Sequence, residues 1–409
     1  MLEETKETKV PRYTYVIVVC SFITFFVADY SGYMILPISK MIIADLGITE
    51  VQFGKLFASY LLPGILLCLI SGLLCDKFGT KRAIGGAIII STIGVILRIF
   101  VTSYSLFYVC MFLNGVMLVF ISVNTAKIVA NWVPPEKISV YLGFAISGGP
   151  VGMAIATGTS ALFPSLKVAF VTGGIGCVIV LILWFIFMKD RPKGMTSDIS
   201  YLQEPKTVPL WEGLKIVIKM PNLWIIGICL GLVLASAVCA NTFLSLSLQT
   251  DRGMSAVSAG VMLSTLMIGN IAGTIFGPMI CAVIGKIRPF FIVFCLTMAV
   301  GIAFSWKLSP TIFIMVGLFI TGFVCAAIMT QLLSLPVLYK KIGPTLAGTA
   351  GGFICTIRTV FAVFVPAYVI APISGGNYTI LFFIGGALPV VAGILTQRLP
   401  EMLPKRKKN

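Results

Sequence analysis

Apolar runs of about twenty residues recur along the whole chain, each closed by a short polar connector. A helix needs roughly 20 such residues to cross the hydrocarbon of a bilayer. Twelve stretches meet that need: 13–36, 51–74, 83–103, 106–130, 138–163, 167–188, 222–248, 256–284, 290–307, 311–336, 345–371 and 378–397. After Met188 the pattern breaks into a long polar, proline-containing segment. The pattern predicts an all-α integral membrane protein of twelve transmembrane helices in two pseudo-symmetric six-helix bundles. Residues 1–188 form the first bundle, 189–221 a cytoplasmic linker, and 222–409 the second bundle with a basic tail. The N-terminal segment reads as a polar lead into a full-length span, not as a cleavable signal.

Composition sharpens this. Hydrophobic residues make up 58% of the 409 and charged ones 11%, against about 25% charged in a soluble domain. The net charge of +16 points to topology, not to nucleic acid, because the basic residues sit in connectors and tails. Connectors on the side of the termini hold 22 Lys and Arg, and those on the other side hold five. The excess of basic residues on cytoplasmic loops then places both termini in the cytoplasm of a cell (plasma) membrane protein. The eleven cysteines lie in or beside apolar segments with no CxxC pair, and read as small packing residues. The chain has no histidine, which removes His-assisted nucleophiles and His-ligated metal or haem sites. It has no phosphate-cradling GxxxxGK[ST] loop. No cofactor is expected, and the protein is read as a non-enzyme.

The two halves repeat. "GLLCDKFGTKR" (72–82) after span 2 is echoed by "GPMICAVIGKIR" (277–288) after span 8, and "YLGFAISGGP" opening span 5 by "LAGTAGG" opening span 11. Such six-plus-six repeats with glycine-rich helices mark rocking transporters. The first motif, carried by Gly72, Asp76, Lys77, Gly79, Lys81 and Arg82, resembles the loop motif of the major facilitator superfamily. The resemblance covers essentially the whole chain. Gly79 permits a tight turn, and Lys81 and Arg82 face the lipid surface. Asp76 can cap a helix or pair with a base, which assigns these residues to gating. "NWVPPEKISVYLGFAISGGPVG" (131–152) resembles the organic-anion branches of that superfamily: the oxalate/formate antiporter, cyanate-permease and monocarboxylate-type groups. Asn131, Trp132, Pro134, Glu136 and Lys137 carry that likeness. Gly148, Gly149 and Pro150 partly resemble an antiporter motif, but Met153 and Ala154 stand where its glycine pair belongs, so antiport stays open. Met111 stands where drug/proton antiporters of the superfamily carry an arginine, which argues against that type.

Charges inside spans are costly and tend to be functional. Of 14 acids, Asp29 alone falls inside a span, with Tyr33 one turn on. Arg358 lies about thirteen residues from either end of span 11, too deep to reach water easily. Two readings stand for it. It grips a carboxylate with its planar fork, as the resemblance to oxalate/formate-type carriers implies for a basic residue in span 11, or it pairs with Asp29. Arg98 and Lys127 lie nearer span ends and are expected to snorkel to the interface. Asn124, Asn241, Asn270 and Gln331 could complete a site, or bridge helices. Gly351 and Gly352 are expected to permit close helix packing, and Tyr60 and Phe361 could wall a cavity.

The expectation is a secondary transporter of small organic anions, mono- or dicarboxylates, working by rocker-switch alternating access. Its substrate site would draw on Arg358, Asp29, Tyr33, Asn124, Asn241, Asn270 and Gln331. A proton or counter-anion is its expected coupling partner, and a monomer in the lipid bilayer its expected form. The alternative is a carrier of neutral or hydrophobic compounds in which Asp29 and Arg358 form a structural pair.

Overall fold

The structure, a computed structural model, describes residues 11–133, 137–190, 215–338 and 343–400. Among the described residues every regular element is helical. Twelve helices are long and apolar enough to span a membrane. The first six are Tyr13–Tyr33, Glu50–Phe78, Thr80–Phe100, Tyr104–Ala130, Val140–Leu162 and Leu166–Phe187. The second six are Pro221–Thr250, Ala256–Ile284, Ile287–Lys307, Thr311–Ser334, Thr349–Ser374 and Tyr378–Thr396. They are called spans 1–12 below.

Spans 2, 4, 6, 8 and 12 each start behind a side chain that caps the helix: Thr49, Ser103, Ser165, Ser255 and Asn377 accept from the backbone N–H three residues on. At Thr49 the side chain of Gln52 returns the bond and completes a capping box. All five caps lie on the face opposite the chain termini, the opposite face. Two prolines shape the spans that meet at the interface between halves. Pro63 interrupts span 2 between Glu50–Leu61 and Pro63–Phe78, because it lacks an N–H and crowds the preceding turn. Pro366 sits in a π-helical turn, Val365–Ile370, within span 11.

The repeat is visible in packing. A Cβ on Gly115 of span 4 would stand 2.0 Å from the Tyr60 carbonyl oxygen of span 2. A Cβ on Gly322 of span 10 would stand 2.0 Å from the Leu266 carbonyl oxygen of span 8. Equivalent helices of the two bundles thus touch backbone to backbone, as membrane helices do through small residues. Gly148 and Gly152 of span 5 meet the Phe22 and Phe26 carbonyls of span 1 in the same way, at 2.1 and 2.3 Å. Gly351 has open space around it, and Gly352 meets only Leu69. The close packing expected at Gly351 is therefore absent.

Contacts between the halves gather toward the opposite face. Tyr378 Oη donates to Glu50 Oε1 (2.5 Å), and Gln249 Nε2 to the Pro37 carbonyl (3.1 Å). Ser264 Oγ donates to the Ala154 carbonyl (2.6 Å), and Tyr108 and Tyr368 meet through their hydroxyls (3.4 Å). Every cross-half hydrogen bond between the described residues in this set lies in the outer half of its span. Toward the terminal face, spans 2 and 11 still touch at Leu69 and Gly352. The molecule is closed at the opposite face.

Candidate functional site

Span 2 serves as a ruler for the site. Tyr60, Gly64 and Cys68 recur every four residues on one side of it, and about 12 Å separates the first from the last. At the Tyr60 level, its hydroxyl reaches the Ala28 carbonyl (2.9 Å) and Asp29 Oδ1 (3.1 Å). Asp29 is 3% exposed. Its other oxygen abuts Gly149 of span 5, where a Cβ would stand 2.5 Å away. Tyr33 stacks edge-on against Phe57 and Tyr60, with centroids 5.2 and 6.4 Å apart. Asn241 of span 7, on the other half, lies beside the Tyr33 hydroxyl. Asn241 is buried, and its Oδ1 has no partner.

One turn toward the terminal face, a Cβ on Gly64 would stand 3.0 Å from Thr359 of span 11. One turn further lie Cys68 of span 2 and Cys355 of span 11, with Arg358 near both. Arg358 is half-buried, its Nε is buried without a partner, and it has no carboxylate partner among the described residues. A guanidinium left so has unused donors suited to an anion.

The structure therefore brings together Asp29, Tyr33 and Asn241, and holds Arg358 on the same interface two helical turns away. It does not form the Asp29–Arg358 pair of the alternative reading. Asp29 is engaged at the Tyr60 level and Arg358 at the Cys68 level. The other candidates stay apart. Asn124 Nδ2 donates to the Phe120 carbonyl of its own helix (2.9 Å), and Asn270 to the Met267 sulfur of its own (3.7 Å). Gln331 is buried on span 10 without a bond to the cluster. Tyr60 joins the site with a direct bond to Asp29, and Phe361 packs on Gly231 of span 7.

In the gating motif Asp76 pairs with a base, Lys127 of span 4, within one half. The side chains are 69% and 43% exposed, so the pair is solvated and weak. The helix after the turn is capped instead by Asp190. Its Oδ1 accepts from Thr80 Oγ1 (2.6 Å) and the Lys81 N–H (2.7 Å). Gly79 turns there at φ +85°, with a Cβ position only 2.9 Å from Asp190 Oδ2. Lys81 Nζ donates to the Phe185 carbonyl (2.7 Å), while Gly72 has open space and Arg82 is exposed. Asn131 and Trp132 donate to the carbonyls of Asp190 (3.3 Å) and Lys189 (3.2 Å). Pro134 and Glu136 lie outside the described residues. The signal for the Asp190 cap was an acid three residues past the end of span 6 facing a helix start with no cap of its own.

Arg98 is a second correction. It does not snorkel: it is 2% exposed, and its Nη1 donates to the Ser31 carbonyl (2.8 Å). Nor is Lys127 merely an interfacial lysine, since it holds Asp76.

Known proteins agree with this architecture. A bacterial homologue of the human lysosomal transporter Spinster, in an inward-facing and unoccupied conformation, superposes with a TM-score of 0.72 at 12% identity, covering 95% of this chain and 99% of its own. The nucleoside transporter NupG gives 0.75 at 15% identity (94% and 99%), and a D-xylose-proton symporter 0.73 at 14% (96% and 98%). These likenesses show the fold. A hexuronate transporter of Bacillus subtilis (strain 168) is 29% identical over 154 residues, so the match spans 36% of each chain. Residues 21–366 match the family described as the Major Facilitator Superfamily, and with twelve spans in two repeated bundles the chain belongs to that superfamily.

Proposed function

We propose that this protein is a secondary transporter of small organic anions, mono- or dicarboxylates, with Arg358 binding the anionic group. The observation that carries the reading is the Arg358 guanidinium, set at the meeting of the halves with no carboxylate partner among the described residues and with a buried, unpartnered Nε. An anion entering hydrocarbon alone is desolvated at great cost, and a paired guanidinium offsets it. The partial match to a hexuronate transporter favours hydroxylated acids. Asn241 Oδ1 and Asp29, two turns away, offer acceptors for hydroxyl groups. The hydrogen bonds that join the halves at the opposite face support a reading in which that face closes and opens as the carrier rocks.

Against the alternative, a carrier of neutral or hydrophobic compounds built on an Asp29–Arg358 pair, stands the bond of Asp29 to Tyr60. Proteoliposomes loaded with purified protein decide between the two. Labelled glucuronate, galacturonate and succinate are expected to enter or exchange, and labelled glucose is not. Equal transport of glucose and the acids would overturn the anion reading. A thermal-shift screen of the same acids against their neutral amides gives an independent check, since ligands of the folded state raise its melting point.

A further inference from the structure

Cys68 and Cys355 lie on opposite halves of the molecule, each one turn closer to the terminal face than the contact between Gly64 and Thr359. This sets them apart from cysteines such as Cys229, Cys295 and Cys325, which all belong to the second half. Around the thiols the two spans are in intimate contact. A Cβ on Gly64 would stand 3.0 Å from Thr359 on one side, and one on Gly352 3.3 Å from Leu69 on the other. Cys68 is buried, whereas Cys355 is partly exposed. The Thr359 hydroxyl donates to the Cys355 carbonyl (2.7 Å), and Arg358 stands three residues on from Cys355 along the same helix. The pair thus has one accessible thiol, one sheltered thiol, and a fixed positive charge beside the accessible one.

We propose that Cys68 and Cys355 form an oxidative modification site, a reversible dithiol lock that ties the halves together in the conformation closed at the opposite face. A hydroperoxide is the oxidant. It transfers one oxygen to the Cys355 sulfur, giving a sulfenic acid and an alcohol or water. The Cys68 thiol attacks that sulfur, the S–S bond forms, and the S–O bond breaks as water leaves. The two thiols are oxidised by two electrons and the peroxide is reduced by two. A small dithiol restores both thiols by exchange. Arg358 offsets the negative charge carried by sulfur during these steps. Rocking requires spans 2 and 11 to move past each other, and a covalent bond between them forbids it. Transient disulfides of this kind are the ones that reducing compartments tolerate.

The test uses the full chain in nanodiscs and does not depend on knowing the substrate. Protein is treated with hydrogen peroxide, remaining thiols are alkylated, and peptides are mapped by mass spectrometry without reduction. Most molecules are expected to yield a Cys68–Cys355 linked peptide that dithiothreitol removes. Amide hydrogen exchange at the opposite-face ends, around Gln249 and Tyr378, should slow several-fold in the oxidised protein and recover on reduction. C68A and C355A, and C68S and C355S where alanine disturbs folding, should lose both the link and the slowed exchange. Absence of the linked peptide would overturn the proposal. So would slowed exchange that persists in the folded single-cysteine variants, or a link that leaves exchange unchanged.

Discussion

Arg358 is the residue on which function turns. Exchange for Gln should weaken binding of carboxylates more than tenfold while sparing their amides, since truncating one partner of a buried charge pair costs about 2–5 kcal/mol. Arg358→Lys keeps the charge but loses the planar fork, and should fall between. Equilibrium binding by calorimetry reads both, and carboxylate affinity unchanged in Arg358→Gln would end the anion-carrier reading. Asp29 invites a different measurement. It is the one fully buried acid among the described residues, set between Tyr60 and Gly149, so a proton carried by the protein has this carboxyl as its seat. Asp29→Asn should abolish pH-driven accumulation in proteoliposomes while exchange at equal pH continues. Accumulation that persists would leave the proton to the substrate itself. Both residues were legible in the sequence as charges deep in apolar runs. Their separation was not, because it depends on which turn of span 2 each one meets.

At the scale of elements, helices meet where backbones can approach. Gly148 allows span 5 to rest on the Phe22 carbonyl of span 1. Gly148→Ala places a methyl where there is no room and should destabilise by about 1–3 kcal/mol. Gly143→Ala, with nothing within 4 Å, should stay within about 0.5 kcal/mol. Melting of the two variants in the same detergent checks the contrast, and equal melting points would contradict the packing described. The turn between spans 2 and 3 answers to Asp190 as well as to Asp76. Asp76 holds Lys127 at a solvated site far from the Tyr60 and Cys68 levels. Asp76→Asn should slow transport with ligand affinity close to that of the native chain, and a large loss of affinity would place Asp76 in the binding site instead. A glycine-rich stretch is easy to see in sequence. Which glycine meets a carbonyl, as Gly148 does, and which faces open space, as Gly351 does, depends on how the helices cross.

For the whole molecule, orientation is the first question. Twenty-two basic residues on the terminal side against five on the other predict that tags at both ends are protected from impermeant reagents in right-side-out vesicles. Labelling of either tag from outside would reverse the topology. It would also place the contacts seen at Glu50–Tyr378 and Pro37–Gln249 on the cytoplasmic side.

The amino-acid sequence by itself determined the twelve spans, their six-plus-six repeat and the family, because the cost of exposing backbone and charge to lipid writes a long, unambiguous apolar period into the chain. It also singled out Asp29 and Arg358, since an ionisable group in hydrocarbon stands out against that period. Only the tertiary structure decided which polar groups meet. Asp29 found Tyr60, Asn241 crossed the interface to Tyr33, and Lys127 took Asp76. Arg98, read from sequence as interfacial, turned inward to the Ser31 carbonyl. Asp190 folded back from the far end of its bundle to cap the helix at Thr80. Each of these contacts joins residues from different helices or connectors. It depends on the crossing and rotation of whole helices, which packing between spans sets and a one-dimensional hydrophobic pattern does not encode.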